Sequence, residues 1–205
     1  IEVGASTLDR KISDFAKNNN ISGMEFLSCI PGSLGGAIIM NSGCYGSDIS
    51  EILSSIKIID ENGKEKEIKK EEIKFFYRCT NIPKNYIILS AILKGIVSTK
   101  QLIEKKQSEL ILRKKNSQPS KIKTGGSTFK NTKDKKAWML IKESGSDKLY
   151  IGDAKISDKH CNFFVNEGKA KSKDIEELIN KVKKEVQNKT GVNLELEIKI
   201  IGNEK

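Results

Sequence analysis

The sequence has little of several residue types from which common sites are built. It contains one histidine, His160. This argues against a Ser-His-Asp hydrolase and against a histidine-rich metal centre. Its four cysteines lie at positions 29, 44, 79 and 161, and because no two form a C-x-x-C pair, the spacing argues against a structural zinc site. We therefore expect no metal and interpret the cysteines as reduced, buried thiols.

Long apolar stretches are also missing. No segment approaches the roughly 20 consecutive apolar residues that cross a bilayer. The first residues have neither the basic start nor the apolar core of a signal peptide, so we expect a cytoplasmic protein with no membrane contact. The chain opens on the strand-like run Ile1–Ala5 rather than on methionine, and we interpret this N-terminus as a cut edge.

Arginine is scarce in a chain that is otherwise basic. The net charge is +10, yet only Arg10, Arg78 and Arg113 are arginines and the other 34 basic residues are lysines spread among acids. Proteins that bind bases and phosphates favour the bidentate guanidinium. We interpret the charge as a solvated surface that would attract phosphorylated small molecules. A basic nucleic-acid-binding module remains an alternative, and it would require a contiguous basic face.

Hydrophobic periodicity predicts an α+β chain whose halves meet at a polar linker, residues 116–124. The first half begins with a helix that places Leu8, Ile12, Phe15 and Ala16 on one face and ends near residues 18–20. It continues with a hairpin that turns at Asn62-Gly63, a strand over Tyr86–Val97 and a helix over Ser98–Lys115. Ser6 or Thr7 is the expected cap of the first helix.

The second half is predicted to be a separate α+β unit. Helices are expected over Ala137–Ser144 and from Ser172, as the cap, to a stop at Gly191. Strands are expected over Asn162–Asn166 and over Leu194–Ile200, where apolar and charged residues alternate.

Four segments are candidates for chemistry. Five of the 16 glycines fall between residues 31 and 46, a density that suits either a tight turn or a backbone cradle for phosphate. This run is neither G-x-G-x-x-G nor a P-loop. The other three are Phe76-Tyr77-Arg78, Thr124–Asn131 and Glu197. Taken singly, these could be a strand end with a surface arginine, a glycine turn and a solvated carboxylate.

Together and in this order, the segments resemble those of the UDP-N-acetylenolpyruvoylglucosamine reductases. The resemblance extends over essentially the whole chain. It rests on Gly23–Leu27, Ile30–Gly36, Met40–Gly46, Tyr77-Arg78, Gln118-Pro119, Gly126–Asn131, Tyr150–Ser157, His160–Phe163 and Gly191–Gly202. Cys44, Cys79 and Asp153 depart from the residues usual in the family, and none of them is a proposed catalytic position.

The resemblance implies an α+β fold in two parts. Residues 1–97 would be the second half of a flavin-binding domain of the vanillyl-alcohol-oxidase type, an antiparallel sheet with flanking helices. Residues 98–118 would be a helix and linker, and residues 119–205 a C-terminal α+β substrate-binding domain. The family's N-terminal FAD-binding subdomain is expected to be absent from this chain, and the lack of an extra aromatic loop places it in the shorter class.

The resemblance also implies a reaction: NADPH reduces FAD, which reduces the enolpyruvyl group of a UDP-sugar in peptidoglycan precursor synthesis. Ser127 would donate a proton, while Arg78 and Glu197 would flank the enolic carboxylate. The expected cofactor-binding residues are Pro31, Gly32, Ser33, Gly35, Gly36, Asn41, Gly43, Tyr45 and Gly46. The expected substrate contacts are Lys115, Lys130 and Asn131. Beyond the UDP-sugar we expect no partner, neither nucleic acid nor membrane, and a monomer. The alternative is a flavin-dependent oxidoreductase of another small substrate.

Overall fold

The computed structural model describes residues 1–202 and contains both helices and antiparallel sheets, which confirms the α+β prediction. The chain divides into two compact units, Ile1–Lys114 and a second that begins at Lys115. Of residues 98–118, which the sequence set apart as a helix and linker, the part up to Lys114 thus lies in the first unit. Within the described residues, no helix is long and apolar enough to cross a membrane.

The first unit is built on a four-stranded antiparallel sheet whose strands lie side by side in the order Glu2–Gly4, Ile87–Leu93, Leu53–Ile59 and Glu65–Lys69. Its helices are α1 (Asp9–Asn18), α2 (Leu34–Ile39), α3 (Ile49–Ile52) and α4 (Lys100–Ser117), with 3₁₀ turns at Glu25–Cys29 and Lys70–Glu72. Its strands are β1 (Glu2–Gly4), β2 (Ile21–Ser22), β3 (Gly43–Cys44), β4 (Ser47–Asp48), β5 (Leu53–Ile59), β6 (Glu65–Lys69), β7 (Phe75–Phe76), β8 (Cys79–Thr80), β9 (Ile87–Leu93) and β10 (Ile96–Val97).

The predicted hairpin is confirmed. Strands β5 and β6 pair antiparallel with Ile56 opposite Ile68, and the chain reverses around Asn62-Gly63, where Gly63 has a φ of 76°. That left-handed conformation is one that glycine adopts without a steric penalty. Ile56 and Ile58 point into the core and are completely buried, as the period-two alternation requires.

The second unit packs two helices against a second four-stranded antiparallel sheet, whose strands lie side by side in the order Lys123–Ser127, Phe163–Asn166, Ala154–Ile156 and Tyr150–Ile151. The strands are β11 (Lys123–Ser127), β12 (Tyr150–Ile151), β13 (Ala154–Ile156) and β14 (Phe163–Asn166), and the helices are α5 (Ala137–Glu143) and α6 (Ser172–Thr190). Leu178, Ile179, Val182 and Val186 form the buried stripe of α6. Gly191 ends that helix in the left-handed conformation, with a φ of 71°.

The predicted strand over Leu194–Ile200 is wrong. Leu196 forms one isolated bridge with Phe129, and hydrogen bonds join Lys130 N to Glu195 O and Glu197 N to Thr128 O. Pairing stops there, and Ile200 is 53% exposed. The alternation fails because the neighbouring segment offers backbone partners only around Phe129, so the apolar pattern has no sheet to continue.

Two predicted helix caps are displaced, and several apolar side chains are exposed. Leu8, not Ser6 or Thr7, occupies the cap position of α1, and Lys171 precedes α6, so Ser172 is the first helical residue. In α6 the carboxylate of Asp174 accepts a hydrogen bond from Lys171 N at 2.7 Å, which supplies the capping acceptor instead of a serine. On the face predicted for α1, Ile12 and Ala16 are buried, whereas Leu8 and Phe15 are exposed.

Candidate active site

The glycine-rich segment, residues 31–46, forms a loop, the short helix α2 and the hairpin of β3 and β4. Its glycines serve different purposes. A Cβ atom on Gly43 would overlap Ser47 O, and one on Gly35 would lie 3.2 Å from Ala5 Cβ, so these two permit close packing. A Cβ atom on Gly36 or Gly46 would meet no atom within 4 Å. Close packing therefore does not require glycine at these two positions, and the backbone there is not covered by a side chain.

The backbone of this segment is held in an uncommon conformation. Asn41 and Tyr45 have φ values of 40° and 55°, and Gly46 has a φ of 95°. Non-glycine residues rarely adopt such angles, and where they do the conformation is usually tied to a functional site. Among the described residues, the buried hydroxyl group of Tyr45 has no hydrogen-bond partner. An unsatisfied buried hydroxyl and bare glycines fit a polar cofactor such as FAD.

The side chain of Asn41 is engaged by the protein itself. Its Oδ1 accepts a hydrogen bond from Ser50 N at 3.1 Å, and its Nδ2 donates to Phe76 O at 3.3 Å and to Asp48 Oδ2 at 3.4 Å. Asn41 is 6% exposed. Its side chain therefore fixes the segment to α3 and to the β7–β8 hairpin, and a contact with a cofactor would come from its backbone.

Arg78 lies in the tight turn between β7 and β8 with a φ of 56°. Its Nη2 donates a hydrogen bond to Gly43 O at 3.2 Å, and its guanidinium lies 4.9 Å from the centre of the Tyr77 ring. The side chain is half-buried, so it is not a freely solvated arginine at a strand end. The hairpin and these contacts place the guanidinium against the glycine-rich segment.

Ser127 is the last residue of β11, and a β-bulge sets its orientation. The register of β11 with β14 shifts between Thr124 and Ser127, and Gly126 has a φ of 89°. An extra residue in one strand re-aims the side chains that follow it. The Gly125-Gly126 pair is therefore the local reason why Ser127 points where it does, and its side chain is half-buried.

Glu197 follows the bridge between Leu196 and Phe129. Because Glu197 N donates to Thr128 O at 2.9 Å, the backbones of Ser127 and Glu197 lie close together in the second unit. Arg78 belongs to the first unit. The three predicted catalytic residues are thus divided between the units.

The three predicted substrate contacts lie in the second unit and have protein partners. Lys130 Nζ lies 3.4 Å from Glu195 Oε2, and Asn131 Oδ1 accepts a hydrogen bond from Ala137 N at 3.0 Å, at the start of α5. The carbonyl oxygen of Lys115 accepts from Lys159 Nζ at 2.5 Å, while its own side chain is exposed. Within residues 1–202, no three His, Cys, Asp or Glu side chains form a group that could hold a metal ion.

Sequence reasoning missed Asn162 as an organising residue. Its Oδ1 accepts a hydrogen bond from Phe129 N at 3.0 Å, and its Nδ2 donates one to Phe129 O at 2.8 Å. The side-chain amide thus makes the two main-chain hydrogen bonds that a neighbouring strand would make with Phe129. Phe129 is fully buried and contacts Phe164 edge to face, with ring centres 5.8 Å apart. Asn162 therefore holds the segment that carries Ser127 and Lys130.

Asp9 is the second residue that the sequence did not reveal. It begins α1, where an acid is usual and carries no special signal, but its side chain is completely buried. Among the described residues neither carboxyl oxygen has a hydrogen-bond partner, and burial raises the pKa of Asp9 to about 6. A Cβ atom on Gly32 would lie 3.2 Å from Asp9 Oδ2, so the carboxyl group lies directly beneath the glycine-rich segment.

The prediction of buried cysteines holds for only part of the set. Cys29 is buried, Cys44 and Cys161 are half-buried, and Cys79, which follows the Arg78 turn, is exposed. The short β7–β8 hairpin explains this position, because its two-residue strands offer little surface to cover a side chain.

Family models match both parts of this arrangement. A model described as an FAD binding domain matches residues 1–69, which include the glycine-rich segment. A model described as the C-terminal domain of UDP-N-acetylenolpyruvoylglucosamine reductase matches residues 118–201, which include Ser127 and Glu197. These matches define the class: an FAD-dependent oxidoreductase with a separate C-terminal domain.

Individual relatives narrow the class. The chain is 48% identical over 204 residues to the UDP-N-acetylenolpyruvoylglucosamine reductase of Pelagibacter ubique, covering 98% of this chain and 68% of that protein. It is 46% identical over 203 residues to the Wolbachia pipientis wMel enzyme of the same name, covering 98% and 69%. The crystal structure of the Thermus caldophilus enzyme superposes with a TM-score of 0.86 at 34% identity, covering 97% of this chain and 71% of that one. The chain belongs to the UDP-N-acetylenolpyruvoylglucosamine reductase family.

Proposed function

We propose that this chain reduces the enolpyruvyl group of UDP-N-acetylglucosamine enolpyruvate to a lactyl ether, giving UDP-N-acetylmuramate for peptidoglycan synthesis. The observation that carries the proposal is the match of both units, to an FAD binding domain and to the reductase C-terminal domain, together with 48% identity to a named reductase. The flavin alternative with another substrate would not account for the second match.

The residues that would hold FAD are those of the glycine-rich segment: Pro31, Gly32, Ser33, Gly35, Gly36, Asn41, Gly43, Tyr45 and Gly46. Bound FAD would take electrons from NADPH and supply hydride to the enol ether. The support is the unpartnered Tyr45 hydroxyl and the open space at Gly36 and Gly46. The Arg113 guanidinium lies 4.6 Å from the centre of the Tyr45 ring, a cation–π contact that helps to hold the ring in place.

Ser127 would transfer its hydroxyl proton to the substrate carbon next to the carboxylate. Addition of hydride to the other carbon of the double bond leaves this carbon with carbanion character, which makes it a strong base. A serine hydroxyl is a weak acid, but it suffices for such a centre where water is excluded. The bulge at Gly125-Gly126 and the bonds of Asn162 hold the donor in one place.

Arg78 would stabilise the negative charge that develops on the carboxylate, as a preorganised cation does at low cost in reorganisation. Its bond to Gly43 O restrains the guanidinium before substrate binds. Glu197, whose N–H donates to Thr128 O next to Ser127, would flank the same carboxylate. Lys115, Lys130 and Asn131 would contact the UDP-sugar, and the exposed ion pair of Lys130 with Glu195 would exchange for a phosphate at little cost.

The test separates the two half-reactions in the FAD-loaded enzyme. With Ser127→Ala, we expect NADPH to reduce the flavin at the wild-type rate, while reoxidation by the enolpyruvyl sugar slows by about 100-fold or more. Stopped-flow absorbance of the flavin measures both steps. Ser172→Ala, at an exposed position of the same unit, is the matched control and should change neither. If the flavin of Ser127→Ala were reoxidised at the wild-type rate, Ser127 would not be the proton donor. If the sugar did not reoxidise the flavin of the NADPH-reduced wild-type enzyme, the proposed function would be refuted.

A further inference from the structure

Cys29 and Cys44 are 15 residues apart in the sequence, but the turn and the strand that carry them pack together. Cys29 ends the 3₁₀ turn Glu25–Cys29, and Cys44 lies in β3, which packs against that turn. Each thiol shifts the pKa of the other. Cys44 Sγ also lies 3.5 Å from Phe26 O, in the same turn. Neither thiol is part of the proposed reductase chemistry.

The surroundings make the two thiols unequal. The hydrogen bond from Cys44 lowers the pKa of Cys29, and although burial opposes this shift, Ser28 and the charge of Lys114 add to it. The same bond and burial raise the pKa of Cys44. Lys114 Nζ is anchored 2.8 Å from Cys29 O, so the cation is fixed beside the pair. A thiol of lowered pKa next to a thiol of raised pKa is the arrangement of an attacking and a resolving cysteine.

We propose that Cys29 and Cys44 form a redox-active pair that a peroxide converts reversibly into an intramolecular disulfide. The Cys29 thiolate attacks one peroxide oxygen, the O–O bond breaks, and the departing oxygen takes a proton to leave as water when the peroxide is hydrogen peroxide. The sulfur of Cys44 then attacks the Cys29 sulfenic acid. The S–O bond breaks, the Cys44 proton leaves with the hydroxyl group as a second water, and the S–S bond forms. Two thiols are oxidised by two electrons, and one peroxide is reduced.

The pair encloses most of the glycine-rich segment. The 14 residues between the two cysteines, 30–43, include seven of the nine proposed flavin contacts: Pro31, Gly32, Ser33, Gly35, Gly36, Asn41 and Gly43. A disulfide requires the sulfurs to approach to about 2.0 Å, which draws β3 toward the 3₁₀ turn. The remaining cysteines differ in setting, because Cys79 is exposed and Cys161 lies in the second unit, where its Sγ is 3.1 Å from Trp138 O.

The sequence allows a direct test by mass spectrometry. Trypsin leaves Cys29 and Cys44 together in the peptide 18–57, whereas Cys79 and Cys161 fall in the separate peptides 79–84 and 160–169. The protein is treated with hydrogen peroxide, quenched with catalase, alkylated with iodoacetamide in denaturant and digested. We expect peptide 18–57 to lose two hydrogen atoms and to carry no alkyl group. Dithiothreitol before alkylation should restore two alkylated cysteines.

Fragment spectra distinguish the disulfide from oxygen added at Met24 and Met40, which share the peptide. Peptide 79–84 is the internal control, since the exposed Cys79 reports that the oxidant acted. In Cys44→Ala, the sulfur of Cys29 should gain oxygen instead of closing. The proposal is overturned if Cys79 is oxidised while peptide 18–57 is still alkylated twice. It is also overturned if Cys29 and Cys44 gain oxygen without losing hydrogen, or if the disulfide joins two chains on a non-reducing gel.

Discussion

Glycine is concentrated around residues 31–46 in the first unit and around residues 125–126 in the second, and it acts differently in the two places. In the first unit, a long segment is tied to neighbouring elements, by the side chain of Asn41 within it and by the guanidinium of Arg78 outside it. In the second, two glycines create one bulge that turns a single side chain, Ser127. The comparison teaches that the proposed cofactor surface is held by several anchors, whereas the orientation of the proposed proton donor depends on one local bulge, supported by the bonds of Asn162 to Phe129.

The two buried asparagines give the largest expected difference between the units. Asn162→Ala leaves both main-chain groups of the buried Phe129 unsatisfied, and each costs about 1–3 kcal/mol. We expect a loss of about 2–4 kcal/mol. The only tryptophan, Trp138, lies in α5 of the same unit, so its fluorescence during urea unfolding measures this change.

Asn41→Gly is the matched variant in the first unit. Glycine adopts the φ of 40° without strain, and Ser50 N keeps a hydrogen bond to Asp48 Oδ1 at 3.0 Å. We therefore expect a loss of stability of only about 1–2 kcal/mol. Amide hydrogen exchange in residues 1–114 measures this loss of stability in the first unit. A larger loss of stability in Asn41→Gly than in Asn162→Ala would contradict this expected difference between the units.

The next largest effect separates packing glycines from open ones within the first unit. In Gly43→Ala the new Cβ atom would lie 2.5 Å from Asp48 Cβ and 2.9 Å from its Cα. Such overpacking costs about 1–3 kcal/mol. Gly36→Ala should instead stabilise the protein by about 0.5–1 kcal/mol, because Gly36 lies within α2 and its Cβ atom would meet open space. Thermal unfolding of both variants without FAD measures the two changes in stability. Changes of the same sign would contradict the distinction between packing glycines and open ones.

The pH dependence of stability should differ between the units, because each contains an ionisable group whose pKa is shifted by burial. Burial raises the pKa of Asp9 to about 6, so the carboxyl group contributes most stability at low pH and loses it as pH rises from about 4 through 6. In the second unit, burial lowers the pKa of His160, and stability is lost in the opposite direction, as pH falls below its usual range near 6.5.

Asp9→Asn removes the charge that must be buried. We expect about 1–2 kcal/mol of stabilisation at pH 7, less than the full shift implies since the surroundings relax around the charge, and none below about pH 4. Urea unfolding between pH 4 and 8 measures the difference. A gain independent of pH would mean that packing, not ionisation, is responsible.

Local features were predictable from the sequence because each depends on neighbours along the chain. The hairpin at Asn62-Gly63 follows from a turn that only certain residues form, and the stripe and stop of α6 follow from helical spacing and Gly191. The rest depends on contacts between distant residues. Asn162 acts on Phe129 across 33 residues, Cys29 meets Cys44 through the packing of β3, and Asp9 is buried by a loop that begins more than 20 residues later. The segment 194–200 shows the reverse: its alternation is correct for a strand, but the fold supplies a partner only at Phe129.

The smallest expected effect concerns the exposed pair of Lys130 and Glu195. Its N–O distance is 3.4 Å and the Glu195 side chain is 77% exposed, so solvent screens the attraction and ordering two side chains offsets it. We expect Glu195→Gln to change stability by less than about 0.5 kcal/mol. The matched variant Lys130→Met should leave stability equally unchanged but weaken binding of the UDP-sugar, since the amine, and not the pair, would contact the substrate. Urea unfolding and substrate titration measure the two variants. A clear loss of stability in both would make Lys130 part of the framework that holds Ser127, as Asn162 is.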